Sequence, residues 1–113
     1  MPEESATADV YQAIASPVRR ALLDQLSSRD RTVRSLAAPF EMTLPAVSQQ
    51  LRVLRHAGLV TARRVGRWRV YHLNAGPLRE VSGWLQGYER SWTAQLKALG
   101  EDLTQHPKEE RWR

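Results

Sequence analysis

Residues 43–58 read TLPAVSQQLRVLRHAG and predict one amphipathic helix over about 44–57. Thr43 can cap its start, and Gly58 stands where helices commonly end in a left-handed residue. The apolar residues at helical spacing, which predict the buried face, are Val47, Leu51 and Leu54. The outward face is then polar and consists of Pro45, Ser48, Gln49, Arg52 and Arg55, with Gln50 further round the helix.

A short helix precedes this one, and a β-hairpin follows it. The short helix is predicted over about 33–38, with Thr32 as its N-cap. The hairpin is rich in branched and aromatic residues, and its predicted strands are 59–65 and 68–73, joined by a turn at Gly66-Arg67. Two helices around a tight turn, followed by a two-stranded β-hairpin, make a winged helix-turn-helix, a mainly α fold.

Charge is concentrated in the same part of the chain. The net charge is +5, yet residues 42–79 alone carry seven arginines and no acid. Such a stretch favours a polyanionic partner, and arginine suits bidentate contacts to phosphate or guanine. On the hairpin, or wing, the expected contact residues are Arg63, Arg64, Arg67 and Arg69, and the first three are expected to have no nearby acid to neutralise them. Trp68 is expected to pack against the protein rather than to stack on bases.

The predicted second helix of the pair would enter the major groove of double-stranded DNA. Glutamine can pair bidentately with adenine, arginine with guanine, and serine with either base. The helix residues expected to contact DNA are Thr43, Pro45, Ser48, Gln49, Gln50, Arg52 and Arg55. An alternative is a winged-helix module that binds protein or RNA without recognising an operator.

The last predicted helix, over 77–104, argues for a homodimer. It would be about 40 Å long, more than a small wing domain can cover. Its apolar residues recur at steps of three and four, and those expected at a dimer interface are Leu85, Tyr88, Trp92, Leu96 and Leu99. A first helix over about 8–15 is expected to join them through Val10, Tyr11 and Ile14.

These parts are predicted to form one domain over 1–113. A further helix over about 17–27 is capped by Ser16 and begins at Pro17, and polar residues 27–31 form a loop. The expected organisation is a DNA-binding core at 8–76 with its wing at 59–73, a dimerisation helix at 77–104 and a tail at 105–113.

Several other classes of protein are not expected. There is no cysteine, no glycine-rich phosphate loop and no pair of histidines at helical spacing, so we expect no enzyme, no cofactor and no metal site. The three histidines are His56, His72 and His106. No apolar run is long enough to span a membrane, and the acidic N-terminus lacks the features of a signal peptide, so we expect a cytoplasmic protein.

The sequence also resembles the ArsR-type repressors. The resemblance lies in three segments, 36–60 around the predicted recognition helix, 16–23 at the start of the second helix, and 66–73 in the wing. It implies a winged-helix homodimer that represses transcription from an operator, expected here to be an inverted repeat. Many members release DNA when metal binds, through cysteines that would fall within 33–40 or through carboxylate and histidine pairs on the last helix. This chain has no cysteine and no two histidines at helical spacing, and it resembles the metal-independent branch. The residues identify no inducer, whether small molecule or protein.

Overall fold

The computed structural model describes residues 9–105 of the chain. The helices are α1, described over 9–13, α2 at Pro17–Ser28, α3 at Val33–Ala37, α4 at Leu44–His56 and α5 at Leu78–Gln105. The strands are β1 at Arg31–Thr32, β2 at Val60–Val65 and β3 at Trp68–Leu73. The chain divides into two compact units, one that ends at Glu80 and one that begins at Val81. Residue 8 of the expected first helix and residues 106–113 of the expected tail, His106 included, lie outside the described residues.

Three helices begin as their capping residues predict. The Ser16 hydroxyl accepts a hydrogen bond from the Arg19 N–H at 3.3 Å, and Pro17 occupies the first turn of α2. The equivalent bonds at α3 and α4 join Thr32 to the Ser35 N–H and Thr43 to the Ala46 N–H, each at 3.2 Å. Helix α3 ends at Ala37 and α4 begins at Leu44, so a short turn joins them. This confirms the predicted helix pair.

Thr43→Ala is expected to lower the free energy of unfolding by about 0.5–2 kcal/mol, because the Ala46 N–H loses its side-chain acceptor. Urea denaturation followed by circular dichroism measures the change. Thr43→Ser keeps the hydroxyl and serves as the control. An equal decrease in the free energy of unfolding in both variants would show that the hydroxyl cap is not how Thr43 stabilises the protein.

The core of the first unit lies between α2, α3, α4 and the sheet. Its largest fully buried side chains are Leu22, Leu36, Val47, Leu51, Leu54 and Leu59. Each such side chain contributes about 1.5–3 kcal/mol through its removal from water. Three of them lie on α4 at the spacing predicted from the sequence, so burial fixes which face of α4 points outward.

The sheet has three strands rather than the two expected, in the order β1-β3-β2. Arg31 pairs with Tyr71 and Thr32 with Val70, so β3 is the central strand. The sequence placed Arg31 in a loop because two residues are too few to show the alternation of a strand. The extra strand ties the hairpin to the start of α3, since Thr32 both ends β1 and caps α3.

Two glycines adopt the left-handed conformation, Gly58 as the sequence predicted and Gly66 within the turn predicted for the hairpin. Gly58 ends α4 with φ +78°, and Gly66 turns the hairpin with φ +61°. The hairpin register pairs Val65 with Trp68 and Arg64 with Arg69. Gly66 therefore places the arginine-rich tip of the wing at the end of two fully paired strands.

Candidate nucleic-acid interface

The outward face of α4 is polar and carries no acidic side chain. Pro45, Gln49, Arg52 and Arg55 are exposed, whereas Ser48 and Gln50 are half-buried. Thr43 is exposed as well, and its hydroxyl already serves as the helix cap. The structure thus leaves five of the seven helix residues predicted for DNA contact exposed to solvent.

The two glutamines are held by arginines. The Arg19 Nη1 of α2 donates to the Gln50 Oε1 at 2.9 Å, and the Arg52 Nη1 donates to the Gln49 Oε1 at 2.8 Å. The first bond is partly buried and joins residues 31 positions apart, which sequence spacing cannot reveal. Arg19 is therefore a residue of this site that the sequence alone does not indicate.

The wing brings four arginines around one depression. Arg63, Arg64, Arg67 and Arg69 line it together with Ala62. Arg64 and Arg69 are direct cross-strand partners in the register of β2 and β3. Like charges directly opposite each other destabilise a strand pair, so an anion bound between them would relieve the repulsion. This geometry suits a phosphate.

The expectation that Arg63 lacks a neutralising acid is wrong. Its Nη1 lies 2.8 Å from the Asp30 Oδ2, and the His72 Nδ1 lies 2.7 Å from the Oδ1 of the same carboxylate. Hydrogen bonds from His72 and Arg63 hold the pKa of the Asp30 carboxyl below its usual range, so it is ionised at neutral pH. The acid stands 33 residues before Arg63 in the chain and reaches it only in the folded sheet.

Arg64, Arg67 and Arg69 differ from Arg63. No ion pair joins them to an acid within the part of the chain that the structure describes. The Arg69 guanidinium lies 6.0 Å from the centre of the Tyr71 ring, the outer limit of a cation–π contact. These three side chains are therefore the wing charges available to an external anion.

Trp68 is more exposed than expected for a packing residue, with 53% of its surface open. It lines a shallow groove on the opposite face of the hairpin from Arg64, beside Val65 and Val70. The ring is therefore only partly packed.

The second unit presents an apolar stripe along α5. The exposed large side chains are Trp84, Tyr88, Trp92, Leu96, Leu99 and Leu103, whereas Leu85 is half-buried. The rings of Trp84 and Tyr88 meet edge to face, with centroids 5.2 Å apart. Trp84 was not among the predicted interface residues, but it belongs to the stripe because it lies four residues before Tyr88 on the helix.

The three N-terminal residues expected at a dimer interface differ in exposure. Val10 has 3% of its surface exposed in the single chain, so it belongs to the protomer interior and has almost no surface to offer a partner. Ile14 is partly buried against the core of the first unit. Tyr11 is half-buried and its hydroxyl donates to the Glu80 main-chain oxygen at 3.3 Å.

Metal-ligating side chains do not assemble within residues 9–105, where no group of three or more His, Cys, Asp or Glu lies together. The His56 Nε2 lies 3.9 Å from an oxygen of Asp9, and His72 is paired with Asp30. None of the helices described is long and apolar enough to cross a membrane.

Comparison with known proteins identifies similar chains. A family model described as bacterial regulatory protein, arsR family, matches residues 16–62. The transcriptional repressor SdpR of Bacillus subtilis (strain 168) is 31% identical over 80 residues, which cover 71% of this chain and 89% of SdpR.

Solved structures agree with the family model. The crystal structure of an ArsR family transcriptional regulator matches with a TM-score of 0.70 and 33% identity, over 82% of this chain and 94% of that one. The solution NMR structure of a homodimeric winged helix-turn-helix DNA-binding domain from Mycobacterium bovis matches with a TM-score of 0.65 and 26% identity, over 83% and 87% of the two chains. The predicted winged helix-turn-helix fold is confirmed.

Proposed function

The chain belongs to the ArsR family of bacterial regulatory proteins, and we propose that it represses transcription as a homodimer bound to an inverted-repeat operator. Membership of this family makes it a DNA-binding transcriptional regulator and not an enzyme. Since a transcriptional regulator acts on DNA inside the cell, we propose a cytoplasmic location.

The observation that carries the proposal is the acid-free polar face of α4 beside an arginine-rich wing. Gln49, Arg52 and Arg55 project from α4 and can reach base edges in the major groove. Arg64, Arg67 and Arg69 extend the positive surface to the flanking phosphates or the minor groove. Base reading and phosphate contact are thus assigned to separate elements.

The α5 stripe is proposed as the main dimer interface. Aromatic side chains such as Tyr88 and Trp92 are typical anchors of protein interfaces, and the chain itself leaves about half of each exposed, 49% and 51%. The interface so proposed consists of Leu85, Tyr88, Trp92, Leu96 and Leu99, to which we add Trp84, and Tyr11 and Ile14 remain further candidates for contact with the partner. Val10 is left out because it is buried within the protomer.

Two-fold symmetry predicts the form of the operator. The two copies of α4 in such a dimer would enter major grooves on one side of the duplex, with half-sites about 34 Å apart or a multiple of that spacing. Selection of bound sequences from a random duplex pool is expected to return an inverted repeat. Recovery of a single asymmetric half-site would contradict the dimeric arrangement.

A salt titration distinguishes this function from protein or RNA binding. Affinity for random duplex DNA is expected to fall steeply as salt rises, because neutralised phosphates release counterions. Equal or tighter binding to single-stranded RNA of matched length, or no binding to duplex at low salt, would favour the alternative module. The family assignment and the lack of acids on α4 disfavour that outcome.

A further inference from the structure

The two glutamines of α4 have their amide groups oriented by hydrogen bonds. A glutamine offers one acceptor oxygen and one NH2 group with two donors. Bidentate recognition of adenine uses both, since adenine presents an acceptor at N7 and a donor at N6. A glutamine can therefore read adenine in this way only if its oxygen and its NH2 group face the same base edge.

The oxygen of Gln50 is occupied by a side chain that is itself held in place. The Arg19 Nε donates to the Ala13 main-chain oxygen at 2.8 Å, and its Nη2 donates to that of Gln12 at 3.0 Å. The remaining Nη1 donates to the Gln50 Oε1 at 2.9 Å. A guanidinium has donors and no acceptor, so the atom that faces it must be the amide oxygen rather than the nitrogen. Arg19 is half-buried, and these bonds fix it between the end of α1 and α4.

Gln49 has the same orientation with a looser hold. Its Oε1 accepts from the Arg52 Nη1 at 2.8 Å, and both side chains are exposed to water. Among the described residues, neither glutamine uses its Nε2 in a hydrogen bond. In the free protein both glutamines thus have an N–H2 group without a partner among the described residues, and an oxygen that is turned toward an arginine with one of its two lone pairs in use.

We propose that Arg19 is a specificity-determining positioning residue, which keeps the Gln50 oxygen turned toward its own partly buried guanidinium so that Gln50 presents only its NH2 group to DNA. The inference rests on the proposed DNA-binding function. With its NH2 group presented, Gln50 favours the base edges that offer acceptors. Guanine presents two acceptors in the major groove and thymine one, whereas cytosine presents a donor and adenine one of each. The expected base opposite Gln50 is guanine, or thymine bound through a single hydrogen bond. The residue type alone would suggest adenine.

Gln50→Glu tests the proposal with little change in shape. The carboxylate keeps an oxygen for Arg19 and replaces the outward N–H2 group with a second oxygen, which accepts hydrogen bonds. Selection from a random duplex pool with the wild-type protein is expected to give guanine or thymine at one position of each half-site. With Gln50→Glu the preference at that position is expected to change to cytosine, whose N4 is a donor, by about five- to hundredfold in relative affinity.

Arg19→Met keeps the length of the side chain and removes its donors. It frees the Gln50 amide to turn, so adenine is expected to join guanine and thymine at the same position. Base preference is the readout, because a purely structural role of Arg19 would weaken binding to all sequences alike. If Arg19→Met does not fold, Gln50→Glu still decides the question. Gln49→Ala is the matched control and is expected to relax preference at a different position.

Two results would overturn the proposal while the proposed function stands: wild-type selection of adenine at the position that responds to Gln50, or the same base there for wild type and Gln50→Glu. Failure of the wild-type protein to bind duplex DNA would instead count against the proposed function itself.

Discussion

Trp92→Asp is expected to convert the protein from a dimer of about twice 12.9 kDa into a monomer with a much lower affinity for the operator. Trp92 lies in the middle of the apolar α5 stripe and is 51% exposed in the single chain, so its remaining surface is available to a partner. An aspartate there would bury an unpaired charge in the proposed interface, at a cost of several kcal/mol. A monomer would contact only one half-site and would lose the gain in affinity that comes from binding both at once, which is about 10²- to 10⁴-fold.

Light scattering at micromolar concentration and operator titration measure these two effects. Gln86→Asp is the matched control, since it introduces the same residue at an exposed position of α5 away from the stripe. Circular dichroism verifies that helix content is retained in both variants. A wild-type protein that scatters as a folded monomer, or a Trp92→Asp variant that remains a dimer, would contradict the assignment of the interface to α5.

Local signals explain why most of the fold could be predicted from the sequence. The caps at Ser16, Thr32 and Thr43 are short-range bonds between residues three apart, and such bonds depend on little beyond the local chain. The buried face of α4 follows from the three- and four-residue spacing of its apolar side chains. The left-handed turn at Gly66 needs only a glycine between two strands.

The features that escaped prediction depend on contacts between distant parts of the chain. Strand β1 has two residues and exists because β3 offers it a free edge. Asp30 neutralises Arg63 across the sheet, and Arg19 reaches Gln50 from another helix. A sequence pattern shows which residues can donate or accept, but the fold decides which of them meet.

That distinction bears on the wing, where four arginines look alike in sequence and differ in the structure. Arg63 has a carboxylate partner, whereas Arg64, Arg67 and Arg69 have none within the described residues. Because Arg64 and Arg69 stand opposite each other, the free protein carries a repulsion that bound phosphate would remove. The three unneutralised arginines are therefore expected to supply most of the electrostatic affinity of the wing.

Replacing Arg64, Arg67 and Arg69 together by alanine is expected to flatten the salt dependence of DNA binding. If each arginine contacts one phosphate, a dimer loses six contacts. The plot of log affinity against log salt concentration, which has a negative slope, then becomes less steep by about five. Six such contacts correspond to about a thousandfold change in affinity between about 50 and 200 mM salt, and the variant is expected to lose this sensitivity on specific and random duplexes alike. Titrations at several salt concentrations, each with both duplexes, measure the slope.

Arg63→Ala is the control for the wing, because it removes an equal charge that Asp30 already neutralises. The salt dependence of Arg63→Ala is expected to differ less from that of the wild-type protein than the salt dependence of Arg67→Ala does. Arg67→Ala alone should make the slope less steep by about two per dimer. Gln49→Ala controls for base reading and is expected to relax base preference at one position of each half-site, at a cost of about 1–3 kcal/mol on the best operator. An unchanged slope in Arg67→Ala, or an equal change in Arg63→Ala, would mean that pairing within the sheet does not decide which wing arginines bind phosphate.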